Sequence, residues 1–201
     1  MPPSDLAASR GEPSYVWRSG QERRLRMVAN FAPLQNALIL EAGCGIGSYS
    51  EQFLKRYGAQ VEAFDIEADR VAEAQQRVPH ALVAAAENLP YPASTFDLIF
   101  SNEVIEHVAN DQTACAEMVR VAKPGGRIVI FCPNRWYPFE THGHYWRGQY
   151  HFGNTPLINY LPDVLRNRLA PHVRAYTARG LRRLFREHPV RIIHHGRIFG
   201  G

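Results

Sequence analysis

The stretch Leu38-Ile-Leu-Glu-Ala-Gly-Cys-Gly-Ile-Gly47 runs from apolar residues through one acidic residue into glycine at every second position. A helix-compatible segment, residues 48–57, follows directly. This order predicts a buried strand, a tight turn and a helix start, in which the backbone comes close to a nucleotide-like ligand. The spacing is G-x-G-x-G and not the G-x-G-x-x-G of dinucleotide sites, so the turn favours an adenosine with an amino-acid tail over a diphosphate.

Strand-like and helix-like segments alternate along most of the chain. Predicted strands lie at residues 37–42, 60–65, 81–85, 96–101, 127–132 and 190–199. Predicted helices lie at residues 20–31, 48–57, 67–78 and 111–122, with Asp111 as the N-cap of the last, and a further helix begins after Thr177. The alternation predicts an α/β fold: a Rossmann-like, doubly wound and mostly parallel sheet with helices on both faces.

The length and composition predict one domain. A loose tail at residues 1–14 precedes a single domain at residues 15–201. Within that domain, residues 133–176 break the alternation and are rich in aromatic residues and histidine, so we expect a cap inserted over the substrate. Three scattered cysteines, the lack of a secretory leader and the short apolar runs predict a cytoplasmic protein without a membrane span.

Charge is distributed unevenly along the chain. Residues 1–134 carry 12 Lys and Arg against 16 Asp and Glu, whereas residues 135–201 carry 11 arginines against 3 acidic residues. The basic part either binds an anionic partner or forms a solvated arginine face whose stems cover apolar surface. We favour the solvated face, because net charge alone rarely identifies a partner.

Polar residues stand where three of the predicted strands end. Glu41 precedes the glycine turn, Asp65 ends the second strand, and Asn102 follows the fourth. Ligands of open α/β sheets bind at these carboxyl ends, and a carboxylate at Asp65 could accept hydrogen bonds from two ribose hydroxyls. The alternative for Asp65 is an N-cap of the helix that follows it.

Four segments in this order resemble the class I S-adenosylmethionine-dependent methyltransferases of the small type 11 family. They are Ile39-Leu-Glu-Ala-Gly-Cys-Gly-Ile-Gly47, Val61-Glu-Ala-Phe-Asp65, Glu87-Asn-Leu-Pro-Tyr-Pro92 with Phe96-Asp-Leu-Ile99 and Glu106-His-Val108, and Lys123-Pro-Gly-Gly-Arg-Ile-Val129. Such sheets usually close with an antiparallel hairpin. Here the sequence reaches Gly201 just after the sixth predicted strand, so we expect the final hairpin strand to be missing, through either truncation or an open edge.

The resemblance implies S-adenosyl-L-methionine as the cofactor. Its methionine part would lie against Glu41 and the turn of Gly43, Cys44, Gly45 and Gly47. Its ribose would bind Asp65. The adenine would lie on Ile66 and beside Ala86 and Glu87, and the sulfonium near Asn102. Family members often have Asp where this chain has Ala85, so the contact to the adenine amino group must come from another group.

The reaction that the resemblance implies is methyl transfer to a small-molecule acceptor, at oxygen or nitrogen. The aromatic residues of 133–176 predict an aromatic or apolar acceptor. Candidates for the catalytic base are His107, just past the fourth strand, and His142 and His144 in the cap. Each of these histidines has a purely structural role as its alternative.

A metal ion is not expected. In the similar ubiquinone-pathway O-methyltransferases, a segment of the type Glu103-x-x-Glu106-His107 has been linked to a divalent metal, and the same spacing could share one helical face here. We favour the metal-free interpretation, in which Glu106 and His107 shape the loop under the cofactor.

Two other functions remain as alternatives. One is a catalytically inactive binding protein that keeps the cofactor fold, and the other is an NAD-dependent dehydrogenase, which the glycine spacing disfavours. Nucleic-acid methylation is disfavoured because Ser101-Asn-Glu-Val104 stands where adenine methylases carry Asp/Asn-Pro-Pro-Tyr. The identity of the acceptor and the oligomeric state are left open.

Overall fold

A computed structural model describes residues 16–198, so the tail predicted for residues 1–14 lies outside the described residues. Five parallel strands form the central sheet in the order β3-β2-β1-β4-β5. They are β1 (Leu38–Ala42), β2 (Gln60–Asp65), β3 (Ala81–Val83), β4 (Phe96–Asn102) and β5 (Ala122–Phe131). The helices are α1 (Ser19–Phe31), α2 (Ser48–Tyr57), α3 (Ala68–Ala74), α4 (Asp111–Val121), α5 (Asp163–Leu169) and α6 (Ala178–Arg183).

The sheet is buried on both faces, which confirms the predicted doubly wound fold. On one face, α1, α2 and α3 pack against Ile39 and Phe100. On the other face, α4 packs against Leu40 and Ile99, and all four of these strand residues are fully buried. A parallel strand covered on both sides needs apolar residues at consecutive positions, which is why β1 begins with three consecutive apolar residues, Leu38 to Leu40.

The predicted end of one helix and the predicted N-cap of another are wrong. The helix predicted at residues 67–78 ends at Ala74, and the turn after it leads into Pro79, which disfavours helical geometry in the residue before it. The N-cap of α4 is Asn110 and not Asp111, because the Asn110 side chain accepts a hydrogen bond from the amide of Thr113 at 3.0 Å. By contrast, Thr177 caps α6 as predicted, through the amide of Gly180.

The predictions for the two C-terminal strands also need correction. Strand β5 starts at Ala122, five residues before its predicted start, and residues 123–126 bulge out between Ala122 and Arg127, which pair with Phe96 and Leu98 of β4. The strand predicted at residues 190–199 is absent over its described part, residues 190–198. Residues 190–198 pair with no strand of the sheet, and a groove of about 980 Å³ is lined both by this segment and by β5.

Residues 133–176 fold into small elements of their own. Two antiparallel pairs join β6 (Phe139–Glu140) to β9 (Thr155–Pro156) and β7 (His144–Trp146) to β8 (Gln149–His151). A 3-10 turn, Ile158–Tyr160, and α5 follow. We refer to residues 133–176 as the cap; the amide of Arg174 donates to the carbonyl of Glu106 at 3.1 Å, which fixes its end beside β4.

Candidate functional site

Three of the predicted cofactor residues stand at the carboxyl edge of the sheet. Ala42, the last residue of β1, pairs with Phe64 on one side and with Ser101 on the other. Strands β2 and β3 lie on one side of β1 in the sheet, and β4 and β5 lie on the other side. The strand order therefore reverses between β1 and β4. Glu41, Asp65 and Asn102 therefore flank the point where open α/β sheets bind their ligands.

The glycine turn has the geometry that only glycine adopts readily. Gly43, Gly45 and Gly47 have φ values of 70°, 52° and 81°. A Cβ on Gly43 would overlap Val104 Cγ2, whereas a Cβ on Gly45 would meet nothing within 4 Å. Gly43 is thus required by packing, and the open space beside Gly45 is where a ligand could approach the backbone.

Asp65 joins the second strand to this turn. Its Oδ2 accepts a hydrogen bond from the amide of Gly45 at 2.8 Å, and its Oδ1 accepts one from the amide of Glu67 at 3.1 Å. The N-cap of α3 is Glu67, so Asp65 is not itself the helix cap. Next to it, Ile66 is 68% exposed. An exposed apolar residue at this position could pack against an adenine ring.

Glu41 is buried behind the turn, where the start of α2 holds it. Its Oε2 accepts hydrogen bonds from the backbone amide of Ser50, at 2.8 Å, and from the Ser50 hydroxyl. Burial raises the pKa of Glu41 to about 8, against the opposing effect of these bonds. A cationic ammonium group beside Glu41 would offset this cost, so the residue fits the methionine end of the cofactor.

The remaining predicted cofactor residues have varied surroundings. Cys44 is buried, and its amide donates to the carbonyl of Phe64 at 2.8 Å, which extends the pairing of β1 and β2. Ala86 is buried beside the second face of the sheet. Glu87 turns toward the loop before α4, where its Oε1 accepts from the amide of Asn110 at 3.0 Å. This contact explains the presence of Glu87 without a cofactor, and its place at the adenine stays a prediction.

Asn102 has a partner that the sequence did not indicate. Arg24 of α1 donates to Asn102 Oδ1 at 2.6 Å and pairs with Glu103 at 3.0 Å. The guanidinium also lies 5.4 Å from the centre of the Phe131 ring. Arg24 thus holds the end of β4 in place. The sequence does not indicate this contact, because Arg24 lies in an amphipathic helix in which a charged residue is expected.

Glu106, His107 and His142 come together although the cap and β4 are distant in sequence. One ligand atom from each lies within 4.8 Å of the others. His142 Nε2 is 3.9 Å from Glu106 Oε1 and 3.8 Å from Glu103 Oε2. Burial and the neighbouring Glu103 raise the pKa of Glu106 well above its ordinary value. Burial, helped by His142, lowers the pKa of His107 to about 4, so its ring is neutral at physiological pH.

Hydrogen bonds orient both rings of this cluster. His142 Nδ1 lies 3.2 Å from Glu140 Oε1, and His107 Nδ1 lies 3.3 Å from the carbonyl of His172. Glu140 is in turn paired with Arg166, whose side chain is 2% exposed, at 2.9 Å. Arg166 is a second residue that the sequence did not indicate, because nothing in an arginine-rich segment marks the one arginine that is buried.

His144, the third candidate for the catalytic base, lies outside this cluster. Its Nδ1 is 3.0 Å from the Thr155 hydroxyl, and its ring stacks on His151 with centres 5.3 Å apart. These contacts belong to the cap's own structure. Residues two positions apart on a regular strand point to the same side, but Gly143 between His142 and His144 is left-handed and turns the chain, so the two side chains diverge.

The groove beside β5 is distinct from the cofactor edge. None of the predicted cofactor residues lines it, although Arg24, Glu103 and Glu140 do. Its other walls are apolar residues of α1, β5 and the last described segment, such as Met27, Val129 and Ile193. One end of the groove therefore reaches the polar residues around the histidine cluster. No helix among residues 16–198 has the length and apolar character to cross a membrane.

Comparison with known proteins gives consistent matches. Residues 40–130 match the family described as "Methyltransferase domain". A malonyl-[acyl-carrier protein] O-methyltransferase of Enterobacter lignolyticus is 33% identical over 139 residues, covering 65% of this chain and 55% of that protein. A norajmaline N-methyltransferase of Rauvolfia serpentina is 38% identical over 100 residues, covering 46% and 34%. The chain thus spans about half or less of the length of these relatives.

A solved structure supports the fold. The crystal structure of an S-adenosylmethionine-dependent methyltransferase from Mesorhizobium loti has a TM-score of 0.62 at 19% identity, covering 83% of this chain and 78% of that one. Residues 40–130 thus match the methyltransferase domain family in sequence, and the parallel sheet with the glycine turn at its switch point agrees with the fold of the solved S-adenosylmethionine-dependent methyltransferase.

Proposed function

We propose that the protein transfers a methyl group from S-adenosylmethionine to the oxygen or nitrogen of a small-molecule acceptor. One observation carries the proposal. The glycine turn, Asp65 and Asn102 border one edge of the sheet, and the cap brings His142 to the same edge, beside the residues that follow β4. A cofactor bound at the turn would therefore have a polar acceptor site beside its sulfonium.

The cofactor supplies an activated methyl group when bound, so the protein's part is alignment and the exclusion of water. Asp65 would hold the ribose through the acceptor capacity that its two backbone hydrogen bonds leave free. Ile66 would cover the adenine with its exposed side chain, and Glu41 would face the ammonium group. The open space at Gly45 admits the methionine chain.

We assign activation of the acceptor to His107 and His142. Glu140 orients the His142 ring so that its Nε2 faces Glu103 and Glu106, and this nitrogen could take a proton from an acceptor hydroxyl or amine. His107 packs against it with ring centres 5.4 Å apart. His144 has no place in this assignment, because it contacts Thr155 and His151 instead.

The acceptor is proposed to be apolar or aromatic, with residues 133–176 as its cap. The groove beside β5 has apolar walls and reaches Tyr137, Phe139 and Glu140 of the cap. The relatives described above are named for methyl transfer to malonyl-[acyl-carrier protein] and to norajmaline, respectively. The unpaired state of Cys44, Cys115 and Cys132 supports the proposed cytoplasmic location.

Calorimetry with S-adenosylmethionine and with NAD tests the cofactor directly. We expect binding of the first and none of the second. Asp65→Ala should weaken binding by about 1–3 kcal/mol, the cost of leaving polar partners unpaired. Asp69→Ala, a matched change at an exposed position of α3, should leave it unchanged. NAD binding alone, or equal affinity in both variants, would contradict the assignment.

A methyl-transfer screen separates an enzyme from an inactive binding protein. Phenols, amines and carboxylates with apolar tails are incubated with labelled cofactor, and transfer of the label is measured. Activity on one class identifies the acceptor atom. Tight cofactor binding without transfer to any class would favour the inactive binding protein.

A further inference from the structure

Three carboxylates surround the His142 ring beside the loop that follows β4. Glu140 Oε1 is 3.2 Å from Nδ1, and Glu103 Oε2 and Glu106 Oε1 are 3.8 and 3.9 Å from Nε2. We propose that Glu103, Glu106 and His142 form a subsite for the protonated amine of the acceptor, which is an amine with an apolar body. This inference rests on the proposed function and names its substrate class.

The charges around this ring leave one carboxylate without a cation. Arg166 pairs with Glu140 at 2.9 Å, and Arg24 pairs with Glu103 at 3.0 Å. No lysine or arginine in the described part of the chain forms an ion pair with Glu106. A buried carboxylate is costly unless a cation or hydrogen bonds compensate it, so this position favours a positively charged ligand.

Glu106 also has hydrogen-bonding capacity that the fold does not use. It is 1% exposed, and neither of its carboxylate oxygens has a hydrogen-bond partner among the described residues. Native structures seldom leave a buried polar group unpaired. Its Oε1 faces His142 Nε2, and an ammonium group has three N–H donors for acceptors of this kind.

Glu103 reaches the subsite from an uncommon backbone conformation. Its φ of 56° lies in the left-handed region, which residues other than glycine, asparagine and aspartate seldom adopt. Its amide donates to the carbonyl of Phe131 at 2.9 Å, which fixes the turn against β5. Strain of this kind clusters at functional sites. In this conformation the Glu103 side chain lies beside His142 and also lines the groove beside β5.

The groove accommodates the rest of the acceptor. Glu103 and Glu140 line it, together with Tyr137 and Phe139 of the cap. Aromatic rings offer apolar surface and also attract cations. An amine whose nitrogen lies at Glu103 would therefore extend an apolar or aromatic body along the groove. A carboxylate in the same place would be repelled by the acidic side chains.

A protonated amine becomes a nucleophile only after it loses a proton, and His142 is placed to accept that proton. Glu140 accepts from His142 Nδ1, so Nε2 carries the lone pair of the neutral ring. One ammonium proton would pass to Nε2, and the amine nitrogen would regain its lone pair. The positive charge would stay on the imidazolium, beside Glu103 and Glu106. The His142 side chain is 16% exposed, which allows the proton to leave to water afterwards.

Binding of matched probes to the full-length protein tests the subsite. The two probe sets are benzylamine, benzyl alcohol and benzoate, and hexylamine, hexanol and hexanoate. Calorimetry without S-adenosylmethionine measures each affinity. We expect the amine of at least one set to bind about 10- to 100-fold more tightly than its alcohol, the scale of hydrogen bonds to a charged group, and the carboxylates not to bind.

Glu106→Gln keeps the size of the side chain and removes its charge. It should reduce the preference for the amine over the alcohol by about 10-fold, whereas a general structural defect would weaken both probes alike. Glu187→Gln, at an exposed position outside the subsite, is the matched control and should keep the preference. Circular dichroism shows whether both variants are folded.

Several results would overturn the subsite. One is binding of the alcohol or the carboxylate as tightly as the amine in both sets, which is also expected if a protonated His142 supplies the positive charge. The others are absence of amine binding at millimolar concentration and an unchanged preference in Glu106→Gln.

Failure of the subsite and failure of the proposed function are distinguishable. Probe binding is measured without S-adenosylmethionine, so it does not depend on methyl transfer. Amine binding without methyl transfer to any acceptor would refute the proposed function alone. Methyl transfer to alcohols or carboxylates by a protein that does not prefer amines would refute the amine subsite alone.

Discussion

Replacing Gly43 or Gly45 by alanine should have opposite consequences, although the two glycines are two positions apart in one turn. Both have positive φ, 70° and 52°, so either substitution costs about 1–2 kcal/mol of backbone strain. At Gly43 the new methyl group would overlap Val104 Cγ2 and lie 3.1 Å from Cγ1. Overpacking of this kind costs typically about 1–3 kcal/mol more. At Gly45 nothing lies within 4 Å.

We therefore expect Gly43→Ala to lower the free energy of unfolding by about 2–5 kcal/mol, and Gly45→Ala by only about 1–2 kcal/mol. The loss of cofactor affinity should follow the reverse order and be larger for Gly45→Ala, because the new methyl group would enter the space that the ligand requires. Denaturant unfolding measures the first quantity, and calorimetry with S-adenosylmethionine measures the second.

Val104→Ala provides the internal control for the steric part. Combined with Gly43→Ala, it removes both γ-methyl groups and leaves a contact of 3.2 Å to Val104 Cβ. The double variant should lose less stability than the sum of the two single variants, by about 1–2 kcal/mol. Additive losses, or a Gly45→Ala variant that binds the cofactor normally, would refute this account of the turn.

Two further predictions concern buried charges. Arg166→Met leaves Glu140 buried without its partner and should lower the free energy of unfolding by about 3–5 kcal/mol, measured by denaturant unfolding. The control, Arg168→Ala at an exposed position of the same helix, should change it by less than about 0.5 kcal/mol. Equal effects of the two variants would contradict the buried ion pair. Glu41 has a pKa of about 8 when folded, so between pH 5 and 8 the folded state keeps a proton that the unfolded state releases, and stability should fall as pH rises through this window. Glu41→Gln should reduce that fall by about 3–4 kcal/mol. An identical pH dependence in both proteins would show that Glu41 is ionised in the fold.

The sequence alone determined the core of the domain. The predicted bounds of α2 and β2, residues 48–57 and 60–65, agree with the structure at every residue. These elements are encoded locally, since apolar periodicity, glycine and proline act within a few residues. The placement of Glu41, Asp65 and Asn102 at one edge also followed from sequence, because parallel strands bring their carboxyl ends together.

Only the tertiary structure decided which side chains meet from distant segments. Arg24 reaches Asn102 across 78 positions, and the cap delivers His142 and not His144 to Glu106. The same holds for the segment at residues 190–198, whose sequence is compatible with a strand but which has no hydrogen-bonded partner at β5. A strand forms only when another backbone segment pairs with it. A cluster of ionisable residues forms only when the fold brings its members together. Both depend on contacts that no local pattern of residues specifies.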